Sequence, residues 1–181
     1  MEIFIKLFDI NININMLLFE SIFYNKIDYY ELYERFCKMG RFINPDYIYE
    51  LFTNTKYKIV LYSIEPNVYN INIDSCPSGL IYYKEINENK LDIFIHFIGT
   101  KPQYRNMGYG SNLIKLFISF IQNSYKEQFL HINIILDSVL ESVLFYEKIG
   151  FIWSINNEWV DKFHINKDED KNEHFIMVLH L

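Results

Sequence analysis

The sequence contains no alanine, and only six glycines, four prolines and two cysteines among 181 residues. Isoleucine, asparagine, phenylalanine and tyrosine fill the space, a bias expected of an AT-rich coding genome. Ile-Asn alternations at 10–15 and 69–73 therefore need no functional cause. The two cysteines, Cys37 and Cys76, lie far apart, with no CxxC and no histidine at zinc spacing. That excludes a disulfide framework and a cysteine-based metal site, and leaves two free thiols as the expectation. No basic stripe accompanies the formal net charge of −6. A nucleic-acid binder relying on bulk electrostatics is excluded, and a cationic partner is mildly favoured. The N-terminus has no basic stretch, and its apolar run is broken by Asp9, Asn11, Asn13 and Asn15, so no signal peptide is expected. No window reaches the ~18 apolar residues of a membrane span. A soluble, intracellular, cytoplasmic protein with no membrane partner is expected.

What is present is globular: half of the residues are hydrophobic and 22% are charged. Residues 1–181 are expected to form a single domain with its own core. A first strand is predicted at 2–8. Asn15 is placed to cap a helix over 16–24. A second helix is predicted at 29–39, with Tyr29, Leu32, Tyr33, Phe36 and Cys37 on one stripe and Gly40 as a left-handed terminal residue. Pro45 starts a short segment through Phe52. The period then changes to that of strands at 57–64, 79–86 and 91–98, the last two joined by the turn residues 87–90. A helix follows from Tyr109 to about Gln122, then a buried strand at 129–136, a helix at 139–148 stopped by Gly150, a strand from Phe151 and a closing strand at 174–180. Strand, helix, strand implies a right-handed crossover, so 91–98 and 129–136 should be parallel. The fold class is α/β: a single mixed, mostly antiparallel sheet with a parallel central pair, flanked by helices.

The stretch from Ile98 to Asn112 lies between a strand and a helix start and holds two closely spaced glycines. That geometry can hold an anion on bare backbone N–H groups. Gly108-x-Gly110 alone is equally compatible with a simple turn. A P-loop would need Gly-Lys-Ser/Thr, and a dinucleotide fingerprint a third glycine near position 113, which is Leu. Downstream, Phe145-Tyr146-Glu147-Lys148-Ile149-Gly150-Phe151 forms a second motif.

Arg105-Asn106-Met107-Gly108-Tyr109-Gly110 resembles the Arg/Gln-x-x-Gly-x-Gly/Ala signature of the GNAT superfamily of acetyl-CoA-dependent N-acetyltransferases, and Pro102 to Arg105 resembles the segment before it. The tyrosine followed by Gly150-Phe151 is similar to the superfamily's second hallmark. The resemblance implies an acyl-CoA N-acyltransferase-like fold and acetyl-CoA as acetyl donor. It implies that Arg105, Asn106, Met107, Gly108, Tyr109, Gly110 and Ser111 serve the pyrophosphate, and Ile98 and Thr100 the pantetheine arm. It also implies direct attack of a primary amine on the thioester, with Tyr146 serving the leaving thiolate. The glutamate that some members carry in the preceding strand is replaced by Phe94, and a cofactor-contacting asparagine by Val139. By strand alternation His96 shares a face with Asp92 and Phe94, and is the candidate base or water-relay partner, with Asp137 as runner-up. No metal is required.

The acceptor is expected to be a cationic amine: a lysine side chain, a protein N-terminus, a polyamine or another small amine. Its pocket would be formed by 28–52 and the final hairpin. The hairpin loop sets Glu158, Asp161, Asp168, Glu169, Asp170 and Glu173 against Lys162, Lys167 and Lys171, either as an acidic rim or as an ordinary solvated loop. Two alternatives stay open: a non-catalytic acyl-CoA-binding or sensing module on the same fold, and an enzyme using another acyl-CoA.

Overall fold

A computed structural model describes residues 16–19, 26–40, 43–64, 75–154, 157–163 and 174–181. The strand expected at 2–8 lies outside them, as does the hairpin loop at 164–173. The described elements are β1 (Met16–Phe19), α1 (Lys26–Met39), α2 (Pro45–Thr53), β2 (Lys58–Tyr62), β3 (Ser78–Asn87), β4 (Lys90–Thr100), α3 (Tyr109–Tyr125), β5 (His131–Val139), α4 (Leu140–Glu147), β6 (Ile152–Trp153) and β7 (His174–His180). The strands form a mixed α/β sheet in the order β1-β2-β3-β4-β5-β7-β6, flanked by helices. Among the described strands, β4 and β5 pair in parallel, from Lys90↔His131 to Ile95↔Leu136. The expected fold class is thus observed. The chain divides into two compact units: one holds the described residues up to Tyr82 with Phe97–Phe117, the other holds Tyr83–His96 with Ile118–Leu181.

In the first unit, α1 buries Leu32, Phe36 and Met39 at helical spacing. Phe36 meets Phe52 of α2 and Phe97 of β4 with ring centroids 5.3 and 5.2 Å apart. Asn44 caps α2 by accepting from the Asp46 N–H at 2.9 Å, and Pro45 opens it, where a missing N–H costs nothing. The helix expected over 16–24 is corrected: Met16–Phe19 is a strand, antiparallel to β2 with Met16↔Tyr62. A four-residue apolar run carries no period that separates strand from helix. The edge of β2, itself buried from Ile59 to Tyr62, supplies the missing partner. Gly40 is not left-handed, since the positive-φ glycines are Gly108 and Gly150. It sits where a Cβ would stand 3.0 Å from the Phe97 ring, so close approach explains the glycine.

In the second unit, a polar chain crosses the sheet face. Lys90 Nζ lies 2.9 Å from buried Asp92, Asn133 Nδ2 donates to Asp92 Oδ1 at 2.7 Å, and Asn133 Oδ1 stands 2.7 Å from His180 Nδ1. Since the Asn133 amide nitrogen faces the carboxylate, its oxygen is the acceptor and His180 Nδ1 donates. The closing strand β7 lies inside the sheet, between β5 and the two-residue edge strand β6. Its central residues Ile176, Met177 and Val178 are buried in succession, as a strand covered on both faces requires.

Candidate functional site

In the first unit, the loop that begins α3 is held by its own side chains. Lys101 N–H donates to Pro77 O at 2.8 Å, and a turn of 3-10 helix follows over Pro102–Tyr104. Arg105 then turns inward: Nε donates to Thr100 O and Nη2 to Met39 O, each at 3.2 Å. The guanidinium expected at a pyrophosphate thus ties the end of β4 to the last residue of α1. Asn106 (φ 62) and Gly108 (φ 83) both adopt the left-handed region, reversing the chain into the helix. A Cβ added at Gly108 would meet no atom within 4 Å, so open space lies over the backbone there. At Gly110 the same Cβ would stand 3.2 Å from Thr100 Oγ1, which is itself 3.3 Å from Ser78 Oγ. The Tyr109 ring is braced between Tyr62 and Tyr104, with centroids 5.8 and 5.7 Å away.

Asn112 N–H donates to Gly108 O at 2.9 Å and begins the helical ladder. Donors of the preceding turn, through Ser111, have no acceptor within the helix, as at any helix start. With 17 residues of α3 behind them, these donors lie at the positive end of a helix dipole, a setting that suits an anion. Met107 is 62% exposed at its rim, and Ile98 is half-buried in β4. A cleft of about 430 Å³ adjoins Pro102 and Gln103, lined also by Glu31, Glu34, Arg35 and Lys38 of α1 and by Lys101. Its charges are mixed, and Glu31 and Glu34 are paired along the helix with Arg35 and Lys38.

In the second unit, the spacing Tyr146, Gly150, Phe151 is that of a helix end. Gly150 N–H donates to Glu147 O at 3.0 Å and Phe151 N–H to Tyr146 O at 3.1 Å, with Gly150 at φ 111. These two bonds around a left-handed glycine are a Schellman motif, and its apolar clasp is Phe151 against Tyr146 at 5.8 Å. The motif fixes the tyrosine that it ends on. Burial, and then the charge of Asp137, push the Tyr146 phenol above its ordinary value, so it stays neutral. Val139 occupies the N-cap of α4 with no side-chain hydrogen bond.

Phe94 is fully buried and stacks on Tyr83 at 5.0 Å, while His96 lies between Tyr83 (5.2 Å) and Phe163 (4.9 Å). The face that alternation assigned to catalysis is an aromatic cluster there, with His96 8% exposed. On the next two strands of the sheet, β5 and β7, Asp137 Oδ2 and His174 Nδ1 are 2.7 Å apart. Asp137 is pushed up by burial and pulled back by His174 and by the Phe175 backbone N–H. Sequence reasoning named Asp137 but missed His174, because nothing local links residues 37 apart. Of the acidic rim, Asp161 is exposed and Lys162 is engaged with Glu85 at 2.8 Å; residues 164–173 lie outside the description. The free thiols are as expected. Among the described residues, no helix is long and apolar enough to cross a membrane.

A search of curated proteins finds no match. Solved structures share the fold at low identity. An Arabidopsis thaliana Naa50 complexed with the bisubstrate analogue CoA-Ac-MVNAL is 16% identical over 91% of this chain and 98% of its own, with a TM-score of 0.56. The ribosomal-protein-S18-alanine N-acetyltransferase of Escherichia coli is 12% identical over 91% and 93%, also at 0.56. Tetrahymena GCN5 is 12% identical over 86% and 88%, again at 0.56. The family model of the GNAT acetyltransferases matches residues 28–151, well over half of the sequence, and the chain belongs to that family.

Proposed function

We propose that this chain transfers the acetyl group of acetyl-CoA to a primary amine by direct attack of the free amine on the thioester. The observation that carries the proposal is the cradle at the start of α3: left-handed Gly108, open space above it, and helix-start donors behind it. Anionic pyrophosphate suits these donors, and a Cβ at Gly108 would occupy the space a phosphate needs. In this reading Met107 to Ser111 supply backbone N–H groups, while Asn106 and Arg105 shape the loop. Ile98 and Thr100 offer strand-edge backbone to the pantetheine arm. The acetyl thioester supplies the activated carbonyl.

An alkyl ammonium near pKa ~10.4 is almost wholly protonated at neutral pH, so the amine must lose a proton before or during attack. At the leaving side, a thiol near ~8.5 is a far stronger acid than a phenol raised above its usual ~10. Tyr146 therefore serves as a hydrogen-bond donor that stabilises the departing thiolate while keeping its own proton. A lysine side chain, a protein N-terminus and a small polyamine remain the candidate acceptors. A cationic acceptor suits the net charge of −6 and the acidic residues in the sequence of the final hairpin loop.

One observation favours a second reading, a non-catalytic acyl-CoA-binding module. Phe94, buried in its aromatic cluster, fills the strand position where a carboxylate would serve as base. Incubating the protein with acetyl-CoA and a panel of amines, while following free thiol, separates the two. Amine-dependent thiol release supports the transferase; calorimetric binding of acetyl-CoA with no thiol release from any amine replaces it with the binding module.

A further inference from the structure

The second unit holds an acid–base pair to which the acetyl-transfer reading assigns no task. His174 opens β7 and Asp137 lies near the end of β5. The antiparallel register sets Val139 opposite His174 and Asp137 opposite Ile176, so the two side chains share one sheet face, one diagonal apart. Asp137 Oδ2 and His174 Nδ1 are 2.7 Å apart. An ionised carboxylate only accepts, so Nδ1 carries the proton and Nε2 of the neutral ring carries a lone pair. The side chains are 38% exposed for His174 and 17% for Asp137. The outer member thus reaches solvent and the inner one is shielded. Asp137 Oδ1 is also buried, with no hydrogen-bond partner among the described residues.

Other titratable groups on this face are committed elsewhere. Asp92 is held by Lys90 and Asn133, His180 by Asn133, and His96 lies between two aromatic rings. The groups facing the pair are Tyr146 of α4, whose phenol senses the Asp137 charge, and the Phe175 backbone N–H of β7; His96 of β4 shares the face.

The geometry points to His174 as the group that takes the proton of the attacking amine on Nε2, with Asp137 as the residue that positions its ring. This rests on the acetyl-transfer reading. The amine lone pair forms the N–C bond to the thioester carbonyl carbon, and the C–S bond breaks with its electron pair going to sulfur. Nitrogen becomes acidic as that bond forms and gives its proton to His174 Nε2. The thiolate leaves hydrogen-bonded to Tyr146, and the imidazolium returns its proton to solvent or to the thiolate.

The test uses the full chain, acetyl-CoA, and three amine probes: a lysine-containing peptide, a peptide with a free N-terminus, and spermidine. With whichever probe releases thiol, His174→Gln is expected to lower kcat at pH 7 by about 100-fold with KM for acetyl-CoA within about twofold of the wild type. His174→Asn, whose amide can still bond Asp137, should lose as much, which separates the missing base from missing packing. Asp137→Asn should lower kcat about tenfold and displace the acid limb of the pH–rate profile, an effect a purely structural role would not produce. Melting curves like the wild type's establish that the variants fold. Thiol release by both His174 variants at near wild-type rate would overturn the assignment and leave the transferase reading standing. If the wild type binds acetyl-CoA but consumes no probe, the transferase reading falls and this assignment falls with it.

Discussion

Arg105 Nη2 donates to the carbonyl of Met39, the last residue of α1, at 3.2 Å. The same guanidinium donates from Nε to Thr100 O, so one side chain joins a helix end, a strand end and the loop that follows. Charge-assisted bonds to carbonyls in a half-buried setting are each worth about 1.5–3 kcal/mol at most. Arg105→Ala should lower stability by about 2 kcal/mol in urea denaturation and weaken acetyl-CoA binding through the loosened loop. Arg105→Lys, a point charge without the fork, should recover only part of either loss. An unchanged denaturation midpoint in the alanine variant would remove the tethering role.

Gly108 adopts φ 83 with nothing within 4 Å of the missing Cβ. The Cβ of a replacing Val therefore meets no protein atom, and the left-handed backbone adds strain of about 1–2 kcal/mol. Any bound pyrophosphate would meet the new side chain. Loss of measurable acetyl-CoA binding by calorimetry, in a variant that still melts cooperatively, is the expected result; retained affinity would sink the cradle assignment.

Tyr146→Phe removes one hydroxyl from a buried ring and leaves the helix-end bonds intact. A fall in kcat of at least about tenfold with acetyl-CoA affinity preserved is expected, the scale of one lost hydrogen bond to developing charge. The raised phenol binds its proton more tightly in the folded than in the unfolded chain. The stability it contributes is thus present below its ordinary value of 10.0 and lost as pH rises through the folded-state value. No limb of the pH–rate profile between pH 6 and 9 should depend on Tyr146, and one that vanished in the phenylalanine variant would contradict the donor role.

Asp137 is also raised, by burial that outweighs the attraction of His174. Its contribution to stability is fully present below 3.8 and is lost as pH rises through the folded-state value. The stability of Asp137→Asn relative to the wild type should therefore increase from pH 3.5 to pH 8. A difference that stays constant or shrinks in paired urea titrations would mean that the carboxylate is better compensated than its surroundings imply.

His96 tests the boundary between core and catalysis. His96→Phe keeps a ring between Tyr83 and Phe163 but abolishes any base, and turnover should stay within about threefold of the wild type. A loss near 100-fold would return the proton-accepting role to His96.

Periodicity made most of the fold legible. The stripe Leu113, Phe117, Phe120, Ile121 and the near-continuous apolar run of β5 each carry their own register, and both elements occur where the residues place them. The turn at Gly108 into α3 and the stop of α4 at Gly150 are legible too, because each is a local device whose glycine, helix start or helix end is set within a few residues. Met16–Phe19 is not legible in this way, because four apolar residues have no period of their own.

By itself, then, the sequence determined the class of fold, the loop that can hold an anion, and a tyrosine locked at a helix end, since local backbone preference and side-chain period act over a turn or two. Tertiary structure alone decided that β1 is a strand, that β7 enters the sheet beside β5, that Arg105 faces Met39 across 66 residues, and that Asp137 meets His174 across 37. Those outcomes depend on strand edges seeking partners and on the register that follows. Both are properties of the assembled sheet, carried by no single segment.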